Sequence, residues 1–429
     1  MGTEITLSVA GMDIAWSKNH RGMDHGALFQ ERDRTRAYSD QIDYDYFEER
    51  KDTELNAMES SFVRKLGDLV SRLELLGFTM HSIEAEYAAN VELWSDQSEM
   101  EEPMKVAMTF AQFLKFALRT PVADLNDDLD HDFDYEKSKG RFAGLAEIER
   151  VPNVDLRDHD HYSEKSYFGN VMGFLHPYST LRLIAENCSN REVDVVWQYG
   201  PLVEAGCAEL GEFSGNARRT ERFLIATEGS SDVHILRHGF ALLRPDVSDF
   251  FHFFDVSEGH PFSGTGQLRK FAEGLAKIDV QNQTVFVFDN DAEGIVASSK
   301  VDAMRLPLNM QTMVLPDHDA LRSFPILGPE GLNNANINGR AAAIEVYLDL
   351  NLPDRPPARA IWSNYKRELG HWHGALDFKE SYVDRFMKLS PTNLATAGYD
   401  TSKIETVLGA IIAKCNLIAS SVRMEALNE

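Results

Sequence analysis

The chain has 429 residues, of which 43% are hydrophobic and 10% aromatic, an ordinary composition for a folded protein with room for two or three domains. Its formal net charge of −25 excludes a generic nucleic-acid coat, whose affinity comes from Lys and Arg neutralising phosphates, and leaves selective or partner-assisted binding. Three widely separated cysteines form no zinc pattern, no run of eighteen apolar residues marks a membrane span, and the first residues lack a signal-peptide pattern, so a cytoplasmic protein with no membrane contact is expected.

Residues 4–18 alternate apolar and polar around Gly11, which predicts a β-hairpin. Leu55, Met58, Phe62, Leu66, Leu69, Val70 and Leu73 recur at helical spacing, predicting an amphipathic helix from Leu55 to Leu76 that ends at Gly77. A second helix is predicted over Met104–Leu118, with Phe110, Phe113, Leu114 and Ala117 buried. The hairpin, with Ser17-Lys18-Asn19 and the Leu28-Phe29 that follows, resembles the N-terminal domain found in bacterial proteins beside HEPN or Toprim domains. That resemblance implies a role in anti-phage defence.

The acidic run 124–136 invites a calcium reading, with Asp128, Asp130, Asp132 and Asp134 at EF-hand positions one, three, five and seven. Phe133 stands where glycine is needed and Lys139 where glutamate is needed, so a solvated loop is expected. His159 and His161 lie two apart with no partner at zinc spacing and are expected at the surface. A helix near Ser179–Cys188 and an apolar segment at Val195–Trp197 precede a Gly- and Ser-containing linker over 211–223. The linker carries Arg218, Arg219 and Arg222, candidates either for contact with a phosphate backbone or for offsetting the acidic N-terminal half.

The run from Phe223 ends in Glu228-Gly229 and a helix start, Phe250–Asp255 reads as a further strand, and Gly266–Ile278 as a helix. Val285–Phe288 then delivers Asp289 and Asp291. This strand–helix alternation predicts a small parallel sheet with flanking helices, whose ligands collect at the carboxyl ends of the strands. If the strand persists, Asp289 and Asp291 share a face, and two close carboxylates repel unless a cation joins them. A hard ion, Mg²⁺ or Mn²⁺, suits such an all-oxygen site. Gly229 and Gly294 are placed to let backbone approach a phosphate. Glu228 is a candidate second-metal ligand or general acid and base.

Glu228-Gly-Ser-Ser-Asp after an apolar strand, followed by Asp289-Asn290-Asp291 after another, resembles the Toprim catalytic domain of topoisomerases, primases and several nucleases. The resemblance implies that Glu228 is the acid/base glutamate and that Asp289 and Asp291 bind metal. Ile344-Glu345-Val346-Tyr347-Leu348 resembles the IE-x-YL helix of OLD-like Toprim nucleases, which implies that Glu345 is a further metal ligand. Asp317 and Asp319, after a strand at Gln311–Leu315, are candidates for an outer ligand or an ordinary turn. The C-terminal hundred residues are read as mainly helical, with a last helix near Ile404–Leu417. Arg367 and His373 have HEPN-like separation, but Gly370 interrupts the segment and Glu368 departs from the HEPN pattern. Lys366, Arg367 and Lys379 are the better candidates for phosphate contacts.

The expected organisation is an N-terminal α+β domain over 1–217, a Rossmann-like Toprim domain over 218–330 and a helical extension over 331–429. The chain is too short for a type IA topoisomerase and lacks the zinc module of a bacterial primase. The expected function is a Mg²⁺- or Mn²⁺-dependent endonuclease acting on RNA such as tRNA, or on DNA, as a toxic effector gated by a protein partner. A homo-oligomer is compatible with this. The alternative is a non-catalytic assembly or sensing subunit built on the same fold.

Overall fold

The computed structural model describes residues 3–39, 42–48, 50–98, 106–128, 135–153, 156, 161–254, 264–352, 355–366 and 370–427. The chain divides into two units, 1–218 with 420–429, and 219–419.

The first unit is built on a five-stranded sheet. Its strands are β1 (Glu4–Val9), β2 (Met12–Lys18), β3 (Arg34–Arg36), β4 (Ser60–Lys65) and β5 (Asp194–Gln198), in the antiparallel order β2-β1-β5-β4-β3. The predicted hairpin is present, turning at Ala10 and Gly11 with positive φ. The predicted helix over Leu55–Leu76 is instead helix Asp52–Met58, strand β4 and helix Leu66–Leu75. Phe62 explains the difference. It is fully buried, stacks on Phe29 at 5.6 Å and on Trp197 at 5.9 Å, and can do so only from a strand paired with β5. Tertiary packing overrides helical spacing here.

The predicted second helix runs from Phe110 to Ala117, capped by Thr109, whose hydroxyl accepts from the Gln112 N–H. Positions 104 and 105 lie outside the described residues, as do 129–134 of the acidic run, His159, Asp255 and Arg367. His161, expected at the surface, is buried and its Nε2 lies 3.1 Å from the Tyr135 carbonyl. The expected linker is packed rather than loose: Phe213 and Ala217 are buried, and Tyr199 stacks on Phe213 at 4.4 Å.

The second unit contains the expected parallel sheet, formed by β6 (Phe223–Ala226), β7 (Phe251–Phe253), β8 (Thr284–Phe288) and, after the two-residue strand β9 (Asn290–Asp291), β10 (Met310–Val314). Their order is β10-β8-β6-β7, all parallel. Every residue of β8 is buried, as a strand covered on both faces requires. Helices Ser230–Leu243, Thr265–Lys277 and Ala292–Asp302 connect the strands.

The fold is thus mixed α/β, but the segment read as mainly helical also holds strands. β11 (Phe324–Gly328) and β12 (Gly331–Ala335) form one hairpin, and β13 (Ala341–Ala342) pairs with β9. β14 (Ala360–Lys366) and β15 (His371–Leu376) form another hairpin, with β14 parallel to β11. Trp362 lies over Gly328 and Gly374, where a Cβ would strike its indole, so aromatic-on-glycine packing holds this sheet. Helix Lys379–Met387 follows. Helix Ser402–Leu427 is the one described helix long and apolar enough to cross a membrane by length and composition, although 44% of its most apolar stretch is buried.

Candidate functional site

Glu228, Asp289 and Asp291 all lie just past the carboxyl ends of adjacent strands, Glu228 after β6 and the aspartates after β8. Glu228 is held at both oxygens, accepting the Asp289 backbone N–H at 3.1 Å and the Thr265 hydroxyl at 2.6 Å. Burial first, and repulsion from Asp291 and Glu293, raise its carboxyl above the ordinary value despite those two donors.

The strand does not run on through Asp291. The chain leaves the parallel sheet after Phe288, and Asn290–Asp291 pairs with β13 instead. Asp291 caps helix Ala292–Asp302, its Oδ1 accepting the N–H groups of Glu293 at 2.9 Å and Gly294 at 2.7 Å. Its Oδ2 lies 3.7 Å from Nδ1 of His373 on β15. Asn290 is buried with its side chain turned to the framework: it donates to Asp317 at 2.8 Å and accepts the Gly339 N–H at 2.8 Å. Asp317 therefore anchors Asn290, and Asp319 forms an exposed pair with Arg322. Gly294 is closely packed, since a Cβ there would collide with the Asp289 carbonyl oxygen.

Two further acids complete the cluster. Asp232, in the first turn of helix Ser230–Leu243, accepts the Gly229 N–H at 3.0 Å. Burial, then the charges of Glu345 and Glu228, push its carboxyl up to about 7. Glu345 arrives not on an α-helix but on a four-residue 3₁₀ turn, Ile344–Tyr347, because the preceding Ala341–Ala342 is held extended by β9. It is buried, with Ser231 Oγ at 3.4 Å and Lys379 Nζ at 3.5 Å. Asp289 sits among Asp232, Glu228, Asp291 and Glu345, and burial followed by their repulsion holds its carboxyl well above the ordinary range. Asp291 is raised too, by burial first, with its two capping N–H groups and His373 opposing.

The structure thus gathers Glu228, Asp289, Asp291, Glu345 and Lys379, and adds Asp232 and His373. The arginines are placed elsewhere. Arg218 is committed within the first unit to Asp24, at 2.9 and 2.8 Å, and to Ser214. Arg219 and Arg222 are exposed before the start of β6, at the opposite end of that strand from Glu228, with about 20 Å of extended chain between Arg222 and Glu228. Asp232 has a signal in the sequence, an acid at the third helical position after Gly229, but it reads as an ordinary capping residue.

The donors are all oxygen, mutually repelling and largely buried, which is the chemistry of a hard divalent cation. Among the described residues no three acids, histidines or cysteines are already gathered in ligating geometry. Such a cation needs only one or two carboxylates, with water and substrate oxygens completing its shell. Asp289, with Asp291 or Asp232, would hold it.

Asp232 yields a pH prediction. Its folded value lies above the ordinary 3.8, so the folded state binds the extra proton, and that stabilisation is complete below about pH 4 and lost as pH rises through about 7. Asp232→Asn keeps an acceptor for Gly229 and does not titrate. The melting temperature of Asp232→Asn minus that of the parent is expected to grow from pH 4 to pH 8 in EDTA, read by thermal scans in matched buffers. A constant difference would refute the burial argument.

Residues 1–221 match the family model described as HEPN/Toprim N-terminal domain 1, 221 of the 429 residues. The match ends before β6, so the carboxylate cluster lies outside it. No curated protein and no solved structure matches the chain. The chain belongs to the HEPN/Toprim N-terminal domain 1 family, which points to a nuclease-related or defence-type role.

Proposed function

We propose that the protein is a Mg²⁺-dependent Toprim-like nuclease that cleaves phosphodiester bonds in RNA or DNA, and that it acts as a partner-gated effector of an anti-phage defence system. The observation that carries this reading is the meeting of Glu228, Asp232, Asp289, Asp291 and Glu345 past the ends of two parallel strands, each of the first four with a raised carboxyl. Asp289 and Asp291 would hold the ion. A bound Mg²⁺ supplies Lewis-acid polarisation of a phosphoryl oxygen and acidifies a bound water.

The chain's own residues account for the rest. Glu228, its carboxyl raised and its rotamer fixed by Thr265 and the Asp289 N–H, takes the proton from an attacking water or ribose hydroxyl. Lys379, half-exposed beside Glu345, contacts the phosphate and offsets its charge. His373 sits beside Asp291, whose rotamer is fixed by the Glu293 and Gly294 N–H groups.

One observation favours the second reading, a non-catalytic assembly or sensing subunit: no ligand set is already gathered among the described residues. A gating partner that draws the acids together reconciles the two.

The test is incubation of the purified protein with total tRNA and with supercoiled plasmid, in Mg²⁺, Mn²⁺ or EDTA. Cleavage of one substrate, abolished by EDTA and reduced about a hundredfold or more in Glu228→Gln, is expected. Calorimetric titration with Mg²⁺ is read separately. Absence of both metal binding and cleavage would leave the non-catalytic reading.

A further inference from the structure

The first unit holds a cavity of about 800 Å³ beside β2, the outer strand of its sheet, a volume typical of small-molecule sites. Edge strands usually carry charges that discourage pairing. Here β2 carries Asp13 and Lys18 and also presents Trp16, 69% exposed, in the cavity lining beside its cross-strand neighbour Thr6.

Four carboxylates line the same cavity, Glu4, Asp13, Asp127 and Glu204, and no lysine or arginine does. Two of them are already compensated from outside the lining. Glu4 pairs with Lys18 at 2.9 Å, and Asp127 is held by Lys165 at 3.0 Å and by the Ser163 hydroxyl at 3.0 Å. Lys165 also donates to the Ala10 carbonyl, which fixes the hairpin turn at the cavity edge. Asp13 has no cation among the described residues. Burial, then Asp127 and Glu4, push its carboxyl up to about 6.

An anionic ligand is disfavoured, because a phosphate would meet four carboxylates and no lysine or arginine in the lining. A bare metal ion leaves Trp16 without a role, and no ligating group of acids is gathered there among the described residues. An organic cation uses both features: its ammonium pairs with a carboxylate, and its methylenes or charge lie against the indole face. Asp13 and Glu204 are the two lining acids with no cation partner among the described residues, so a ligand that pairs with both carries two positive charges.

We infer that this cavity is a binding site for a small organic polycation of the aliphatic polyamine class, with one ammonium on Asp13, a second on Glu204 and the chain of the ligand covered by Trp16. The inference does not depend on nuclease activity. It makes the first unit a ligand-responsive module.

The experiment is calorimetric titration of the full-length protein with spermidine at moderate salt, alongside tryptophan fluorescence. Saturable one-to-one binding is expected, with a fluorescence change lost in Trp16→Phe. Asp13→Asn and Glu204→Gln are expected to weaken binding about tenfold each, while circular dichroism and thermal scans report intact folding. Heat that is unsaturable, or the same in the parent and both acid variants, would mean that spermidine only condenses on an acidic surface and would overturn the inference. So would binding of ATP in place of spermidine.

Discussion

Under the proposed nuclease function, Asp289→Asn is expected to reduce metal-dependent cleavage by about a thousandfold or more while raising the melting temperature of the metal-free protein at pH 8. Both effects have one origin. Loss of a metal ligand removes several kcal/mol of charge stabilisation in the transition state, and each 1.36 kcal/mol is about tenfold in rate. In the absence of metal the same carboxylate is a liability, because burial and four neighbouring acids hold its carboxyl well above the ordinary range. A folded value above the unfolded one means stability lost as pH rises, so the neutral isostere is favoured most on the alkaline side. Mg²⁺ is expected to raise the melting temperature of the parent and to leave that of the variant nearly unchanged. A variant less stable than the parent in EDTA, yet still shifted by Mg²⁺, would refute the assignment of Asp289.

Gly294→Ala is expected to cost about 3 kcal/mol of stability, at the upper end for overpacking, because the new Cβ meets a backbone carbonyl rather than a side chain that can rotate away. The collision is with Asp289, and Gly294 also donates to Asp291, so the substitution moves both aspartates. Gly274→Ala is the control. It sits on an exposed position of helix Thr265–Lys277 with open space around it, and a gain of about 0.5–1 kcal/mol is expected from helix propensity. Urea unfolding of the three proteins decides the matter: equal midpoints for Gly294→Ala and the parent would show that the helix start is not packed on the strand end.

The parts of the site that sequence reveals are those where an acid directly follows an apolar run. Phe223–Ala226 and Thr284–Phe288 are buried strands that read as such, and each points to the carboxylate that follows. Asp232 is hidden because its hydrogen bond to Gly229 is what any helix-capping acid makes, and only its distance partners Glu345 and Glu228 mark it as more. Glu345 reads as helical because Ala341–Ala343 has high helix propensity, whereas pairing with Asn290–Asp291 holds the first two of these residues extended. His373 is legible only in a HEPN-like spacing, yet it lies on a strand whose partner is β14. β4 is concealed by a coincidence of period, since Phe62 and Leu66 fit a helical stripe although Phe62 belongs to the sheet core. Contacts between residues far apart in sequence decide each of these cases.

Helix Ser402–Leu427 carries a consequence for how the chain is made. Its residues from Ser420 onward belong to the first unit, where Arg423 pairs with Glu86 at 2.7 Å and covers the Phe78 ring at 3.8 Å. Glu86 is buried and also accepts from Ser179 and the His176 backbone, so it is built into that unit's interior. Its guanidinium partner lies 337 positions later. Domains usually settle in the order in which they leave the ribosome. Here Glu86 lacks its guanidinium partner until translation has passed the second unit, so this ion pair closes only on a chain that already carries the carboxylate cluster.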